Sequence, residues 1–195
     1  NQKIFKKYLN WLGKRYNSEV SSYNFRNKEK RGWGLTAKVV FKNGKTKYIP
    51  SDNDPYYNNF LECKTYRKSC YQCHYTSFTR ESDITLADYW GILSVHPEFY
   101  SEKGVSLILV NSEKGKKIFE KISSKINYIE TDIEKAARKN INLKRPSDKP
   151  KVRENIYNGI QDKDDITFIN DNLKIEFNLK KKIKSMVPYQ VKLMI

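Results

Sequence analysis

The feature that most constrains this chain is the tetrapeptide Lys42-Asn43-Gly44-Lys45, set between two β-prone runs. An Asn-Gly pair accepts the positive φ values of a type I′ turn, so residues 35–41 and 46–50 are expected to pair as an antiparallel hairpin. A hairpin fixes register, and register decides which side chains meet the core. Upstream, Ile4, Phe5, Tyr8, Leu9, Leu12 and Tyr16 recur at helical spacing and predict an amphipathic helix over 2–16, followed by a strand over 20–26. Asp54-Pro55 reads as an N-cap with proline at the first helical position, opening a short helix through Phe60-Leu61.

The second half alternates short elements. Strands are expected over 84–87 and 105–110. A helix begins at Asn111 or Ser112 and runs to about Ile122, with Ile118, Phe119 and Ile122 on its inner face. A strand over 126–130, a helix capped by Asp132, a Pro-bounded linker over 144–150 and helices over 151–160 and 172–187 complete the reading. Strands and helices mix without a strict βαβ rhythm. The expected fold is α/β (α+β): one domain over 1–150 with a mixed sheet and a β-hairpin flanked by helices, then a helical tail over 151–195. The chain opens inside a helical pattern without a Met, and we expect it to be a piece of a longer protein. The longest apolar runs, such as Leu107-Ile108-Leu109-Val110, are far too short for a transmembrane helix.

Charge narrows the partners. The 38 Lys and Arg outnumber the 22 Asp and Glu by 16, and the excess is concentrated in the first fifty residues. Such a balance invites nucleic-acid binding. The cations are nearly all lysine, however, in a chain also rich in Asn and Ile, and arginine favours bidentate phosphate and base contacts. We expect no specific nucleic-acid partner. The basic, amphipathic pattern around Lys180-Lys181-Lys182-Ile183-Lys184 admits peripheral contact with an anionic membrane surface.

The chemistry-bearing residues cluster. Cys63, Cys70 and Cys73 lie within eleven residues, with His74 beside the last. An odd, clustered set is poor material for a disulfide framework and suggests metal or redox chemistry in a reducing cytoplasm. Cysteines three apart can turn both thiolates toward one metal, which suits zinc and iron–sulfur clusters alike, and a redox dithiol has the same spacing. Cys70-x-x-Cys73-His74 also matches the c-type haem attachment string, without an export signal to support it. With two histidines, no Ser/His/Asp set, no phosphate-binding GxxxxGK[ST] loop and no HExxH, hydrolytic catalysis has no basis.

Three strings in fixed order resemble one family. They are residues 67–74, then Ser82-Asp83-Ile84-Thr85-Leu86-Ala87-Asp88-Tyr89-Trp90-Gly91, then Gly104-Val105-Ser106-Leu107-Ile108-Leu109-Val110-Asn111-Ser112-Glu113-Lys114-Gly115. Together with the opening helix, Asn24-Phe25-Arg26 and Trp33, they resemble the C-terminal domain of the coenzyme F420 hydrogenase/dehydrogenase beta subunit over roughly residues 1–155. The resemblance implies an oxidoreductase subunit that passes electrons between a 4Fe-4S cluster, FAD and a deazaflavin-type or other acceptor, coenzyme F420 among them. It implies Cys70 and Cys73 as cluster ligands and Asp83, Thr85, Asp88, Trp90, Gly91, Gly104 and Ser106 as cofactor contacts. It also implies an upstream ferredoxin-like region of the same protein and redox or glycan-assembly partner proteins. His74 stands where the family usually has lysine, and Cys63 has no counterpart. The competing expectation is an accessory, zinc-bearing and non-catalytic domain of a polysaccharide-biosynthesis protein. No side chain is singled out as catalytic, because in flavin–iron–sulfur chemistry the cofactor carries the reaction.

Overall fold

The computed structural model describes residues 1–175. In chain order the regular elements are α1 (Gln2–Tyr16), β1 (Val20–Asn24), β2 (Thr36–Phe41), β3 (Thr46–Pro50), α2 (Pro55–Leu61), β4 (Ile84–Asp88), β5 (Ser106–Val110), α3 (Glu113–Ser123), α4 (Ile133–Ala137), α5 (Arg153–Asp162) and α6 (Asp165–Asn172), with short 3₁₀ turns between them. The class is α+β. The strands form two small antiparallel sheets, β1-β2-β3 and β4-β5, where one mixed sheet was expected. The chain divides into two compact units: residues 1–30, 34–65 and the described residues from 150 onward form one, and residues 31–33 with 66–149 form the other.

In the first unit, the Asn1 side-chain oxygen accepts from the Lys3 and Ile4 N–H groups and starts α1. Asn17, in the left-handed region at φ 51°, ends it, and Ser18 N–H closes onto the Gly13 carbonyl. Ile4, Tyr8 and Leu12 form a fully buried stripe. They pack with Val39 and Phe41 of the central strand β2 and with Ile156, Phe168, Ile169 and Leu173. Each large apolar side chain buried this way contributes about 1.5–3 kcal/mol. Lys7 ties α1 to the start of α6 through the Lys163 carbonyl at 2.7 Å and Asp165 at 3.3 Å.

The hairpin forms where expected, with Val40 paired to Thr46, but its turn differs. Only Gly44 has positive φ, at 81°, and its N–H donates to the Phe41 carbonyl while Phe41 N–H donates to Lys45. This is a three-residue loop with glycine at the left-handed position. Asn43 stays in ordinary backbone space and uses its side chain instead, accepting from Lys45 N–H at 3.1 Å.

In the second unit, β4 and β5 form a ribbon with Asp88 opposite Ser106 and Ile84 opposite Val110. Its core gathers Tyr89, Ile92, Leu107, Ala136, Ala137 and Leu143. Residues 126–130 are irregular, correcting the expected strand. Among the described residues β5 pairs with β4 alone, so this segment has no ladder to join, and Ile126, Tyr128 and Ile129 stay partly exposed. Ile118 and Ile122 are also exposed, so the inner face of α3 consists of Gly115 and the half-buried Phe119. The tail contains α5 and α6; α6 ends at Asn172, and the remainder of the helix expected over 172–187 lies outside the described residues.

Candidate functional site

The Cys loop lies in the second unit. Cys70 sits in a 3₁₀ turn (Lys68–Gln72) closed by its own N–H donating to the Arg67 carbonyl. Cys73 follows the turn, and its carbonyl accepts from the Thr76 hydroxyl at 2.7 Å. Both thiols are free and half-buried, and His74 is exposed. Among the described residues no three His, Cys, Asp or Glu side chains come together to hold a metal. A 4Fe-4S cluster takes four thiolates, so it does not fit the described residues by themselves.

Cys63 belongs to the other unit and has a structural role. It follows α2 in the left-handed region at φ 60°, with Cys63 N–H on the Phe60 carbonyl and Lys64 N–H on Asn59. That double closure is a Schellman motif, a position that glycine usually fills.

The seven expected cofactor contacts divide between the two ends of the β4–β5 ribbon. Asp83 lies five residues before Asp88, about 17 Å along an extended strand. At the Asp83 end the polar groups satisfy one another. Asp83 accepts from the Ser112 hydroxyl at 2.6 Å and pairs with Lys114 at 3.1 Å. Ser112 in turn accepts from Gly115 N–H and so caps α3. The hydrogen bond from Ser112, then Lys114, holds the Asp83 carboxyl below the usual carboxylate range. Thr85 meets the Asn111 amide at 3.0 Å. Asp83 and Thr85 thus fasten β4 to the entrance of α3.

At the Asp88 end aromatic rings dominate. Trp90 stacks on Trp33 at 5.2 Å, and Trp33 lies near-parallel to Tyr100 at 6.4 Å. Gly104, at φ 91°, is packed under the Trp33 indole, where a Cβ would stand 3.2 Å from the ring. Gly91, at φ 85°, is covered by the Lys139 stem. The chain's own side chains therefore occupy the close approaches that sequence reasoning reserved for a cofactor.

Against β5 lies a cavity of about 1140 Å³. The strand backbone from Gly104 to Val110 forms one wall, α3 contributes Lys116, Phe119 and Glu120, and residues 126–131 form another wall. Phe119 and Tyr128 meet edge to face at 5.1 Å. Of the expected contacts, Gly104 and Ser106 line this space. Sequence reasoning missed Thr131, Glu98 and the adjacent His96, which group with Tyr89 at its rim. Tyr89, inside the Ser82–Gly91 string, was the one visible signal. The walls suit a flat, partly polar ring system, and the size is ample for one.

A family model that describes the C terminus of the coenzyme F420 hydrogenase/dehydrogenase beta subunit matches residues 1–136. No curated protein and no solved structure matches the chain. No described helix is long and apolar enough to cross a membrane.

Proposed function

The chain belongs to the C-terminal family of the F420 hydrogenase/dehydrogenase beta subunit, and on that premise we propose that it forms the ring-binding part of an oxidoreductase. The observation that carries this reading is the cavity against β5, which lies in the second unit and is bounded by the Gly104–Val110 strand and the Phe119–Tyr128 pair. An isoalloxazine ring of FAD is the proposed occupant. Bound there, it would exchange single electrons for a hydride-level pair. The chain's residues supply the rest. The apolar β5 wall and Phe119 exclude water, Ser106 offers a hydrogen bond on the strand, and Lys116 is the basic side chain of the wall.

Cys70 and Cys73 supply two thiolates toward a 4Fe-4S cluster completed by an upstream ferredoxin-like region. A deazaflavin such as coenzyme F420 or another carrier serves as acceptor, and the redox partner proteins act in the cytoplasm. Two thiols alone do not complete such a cluster. The accessory zinc-domain alternative gains no observation in its favour.

Equilibrium binding of FAD tests the reading. Ser106 is exposed and lines the cavity, so Ser106→Trp fills the space without replacing a core side chain. The variant should bind FAD about tenfold more weakly or worse, with its thermal unfolding unchanged. Equal affinity in wild type and variant would place the flavin elsewhere.

A further inference from the structure

Two polar side chains converge on one hydroxyl at the cavity rim. Thr131 Oγ1 lies 2.9 Å from the Tyr89 phenol oxygen and 3.0 Å from His96 Nε2. On its other side, His96 Nδ1 faces Glu98 Oε1 at 3.5 Å. Tyr89 is 3 % exposed, whereas the Glu98 side chain is 62 % exposed. Tyr89, Thr131 and Glu98 all line the cavity. The chain of groups therefore runs from solvent to a buried phenol.

A hydrogen-bond chain of this kind has a direction, set at its titratable member. A threonine hydroxyl has one proton to give and two lone pairs. When His96 Nε2 is bare it can only accept, so Thr131 donates to it and takes the Tyr89 proton in turn. The Tyr89 lone pairs then face the cavity. When Nε2 carries a proton it donates to Thr131, the Thr131 proton turns to the Tyr89 oxygen, and the Tyr89 proton is free to point into the cavity. Glu98, facing Nδ1, favours a proton on that nitrogen in either state.

We infer that His96 sets, through Thr131, whether Tyr89 donates or accepts a hydrogen bond inside the cavity, and thereby which redox state of an isoalloxazine-class ring the site prefers. This rests on the ring assignment proposed above. An oxidised ring offers acceptor nitrogen and carbonyl oxygen atoms along its edge, and reduction converts a ring nitrogen into an N–H donor. Protonated His96 suits the first and neutral His96 the second. His96 is a positioning residue here, because Tyr89 is the group that meets the ligand.

The test uses the full 195-residue chain with oxidised FAD as probe, its dissociation constant read by fluorescence quenching between pH 5.5 and 8. The other charged groups facing the cavity are Lys116 and Glu120 of α3, Glu130 and Glu98, and the two variants below share all of them with wild type. Wild type should bind about two- to tenfold more tightly at pH 5.5 than at pH 8, the worth of one hydrogen bond. His96→Gln keeps a polar group of similar reach that cannot take up a ring proton, and Thr131→Val cuts the link; both should give pH-independent affinity. Thr131→Ser should restore the wild-type profile. A His96→Gln or Thr131→Val protein with the wild-type pH profile overturns the relay and leaves the ring assignment standing. A wild-type chain that binds no FAD at either pH overturns both.

Discussion

Gly115 of α3 lies against the Asp83 carbonyl so closely that a Cβ on Gly115 would stand 2.1 Å from that oxygen. No side chain other than glycine's fits between the entrance of α3 and the start of β4. Gly115→Ala should therefore cost about 3 kcal/mol or more, because the clash is with backbone and cannot be relieved by a rotamer. Urea unfolding measures it, and a loss below about 0.5 kcal/mol would show that α3 can move away freely.

The Asp83 carboxyl beside this contact is held low by Ser112 and then Lys114. A group whose folded value is depressed contributes stability that is present above its unfolded value, about 3.9, and is lost as pH falls through the folded one. Protection of the Gly115 N–H against hydrogen exchange, which rests on the same Ser112 hydroxyl, should fall below about pH 4 in wild type. It should be insensitive to pH there in Asp83→Asn.

The first unit holds the opposite case. Asp54 Oδ2 accepts from both the Tyr8 and Tyr23 phenols, at 2.7 and 2.6 Å, while Oδ1 accepts from Tyr57 N–H at 2.9 Å. Burial pushes the Asp54 carboxyl up despite these three donors, and burial together with the Asp54 charge pushes both phenols up. A raised folded value means stability that is full below the unfolded value and is lost as pH rises through the folded one. Asp54→Asn removes this titration and sets an amide donor against hydroxyl donors, costing about 1–3 kcal/mol. The stability difference between wild type and Asp54→Asn should be largest in acid and shrink as pH rises. A constant difference from about pH 3 to 8 would mean that Asp54 titrates as a solvated carboxylate.

The cysteines should separate by role. Cys63 is strained at positive φ, so Cys63→Gly should raise stability by up to about 1 kcal/mol and leave iron content unchanged. Cys70→Ser and Cys73→Ser should each reduce the iron of the anaerobically isolated intact protein to background. Equal iron loss in all three variants would assign Cys63 to the metal as well.

Much of the first unit was legible because its signals are local. The apolar spacing from Ile4 to Tyr16 marks α1, Asp54-Pro55 starts α2, and Gly44 turns the hairpin. The strand expected over 126–130 failed because alternation in the sequence states a preference, and a strand also needs an edge to pair with. The cofactor site was half legible. Glycines at 91 and 104 do mark close approaches, but Lys139 and Trp33 make them. The cluster of Tyr89, Thr131 and His96 was illegible because Thr131 lies 42 residues from Tyr89 and 35 from His96 along the chain, with no motif spacing to join them.

The proposal at stake is that a redox ring binds in the cavity of the second unit, with Cys70 and Cys73 as two thiolates toward a cluster completed elsewhere in the protein. The most direct measurement is the visible absorption and iron content of the intact polypeptide isolated without oxygen. The account predicts flavin bands together with a thiolate-to-iron shoulder that dithionite bleaches, with the flavin bands lost in Ser106→Trp and the shoulder lost in Cys70→Ser. A colourless protein free of iron would contradict it.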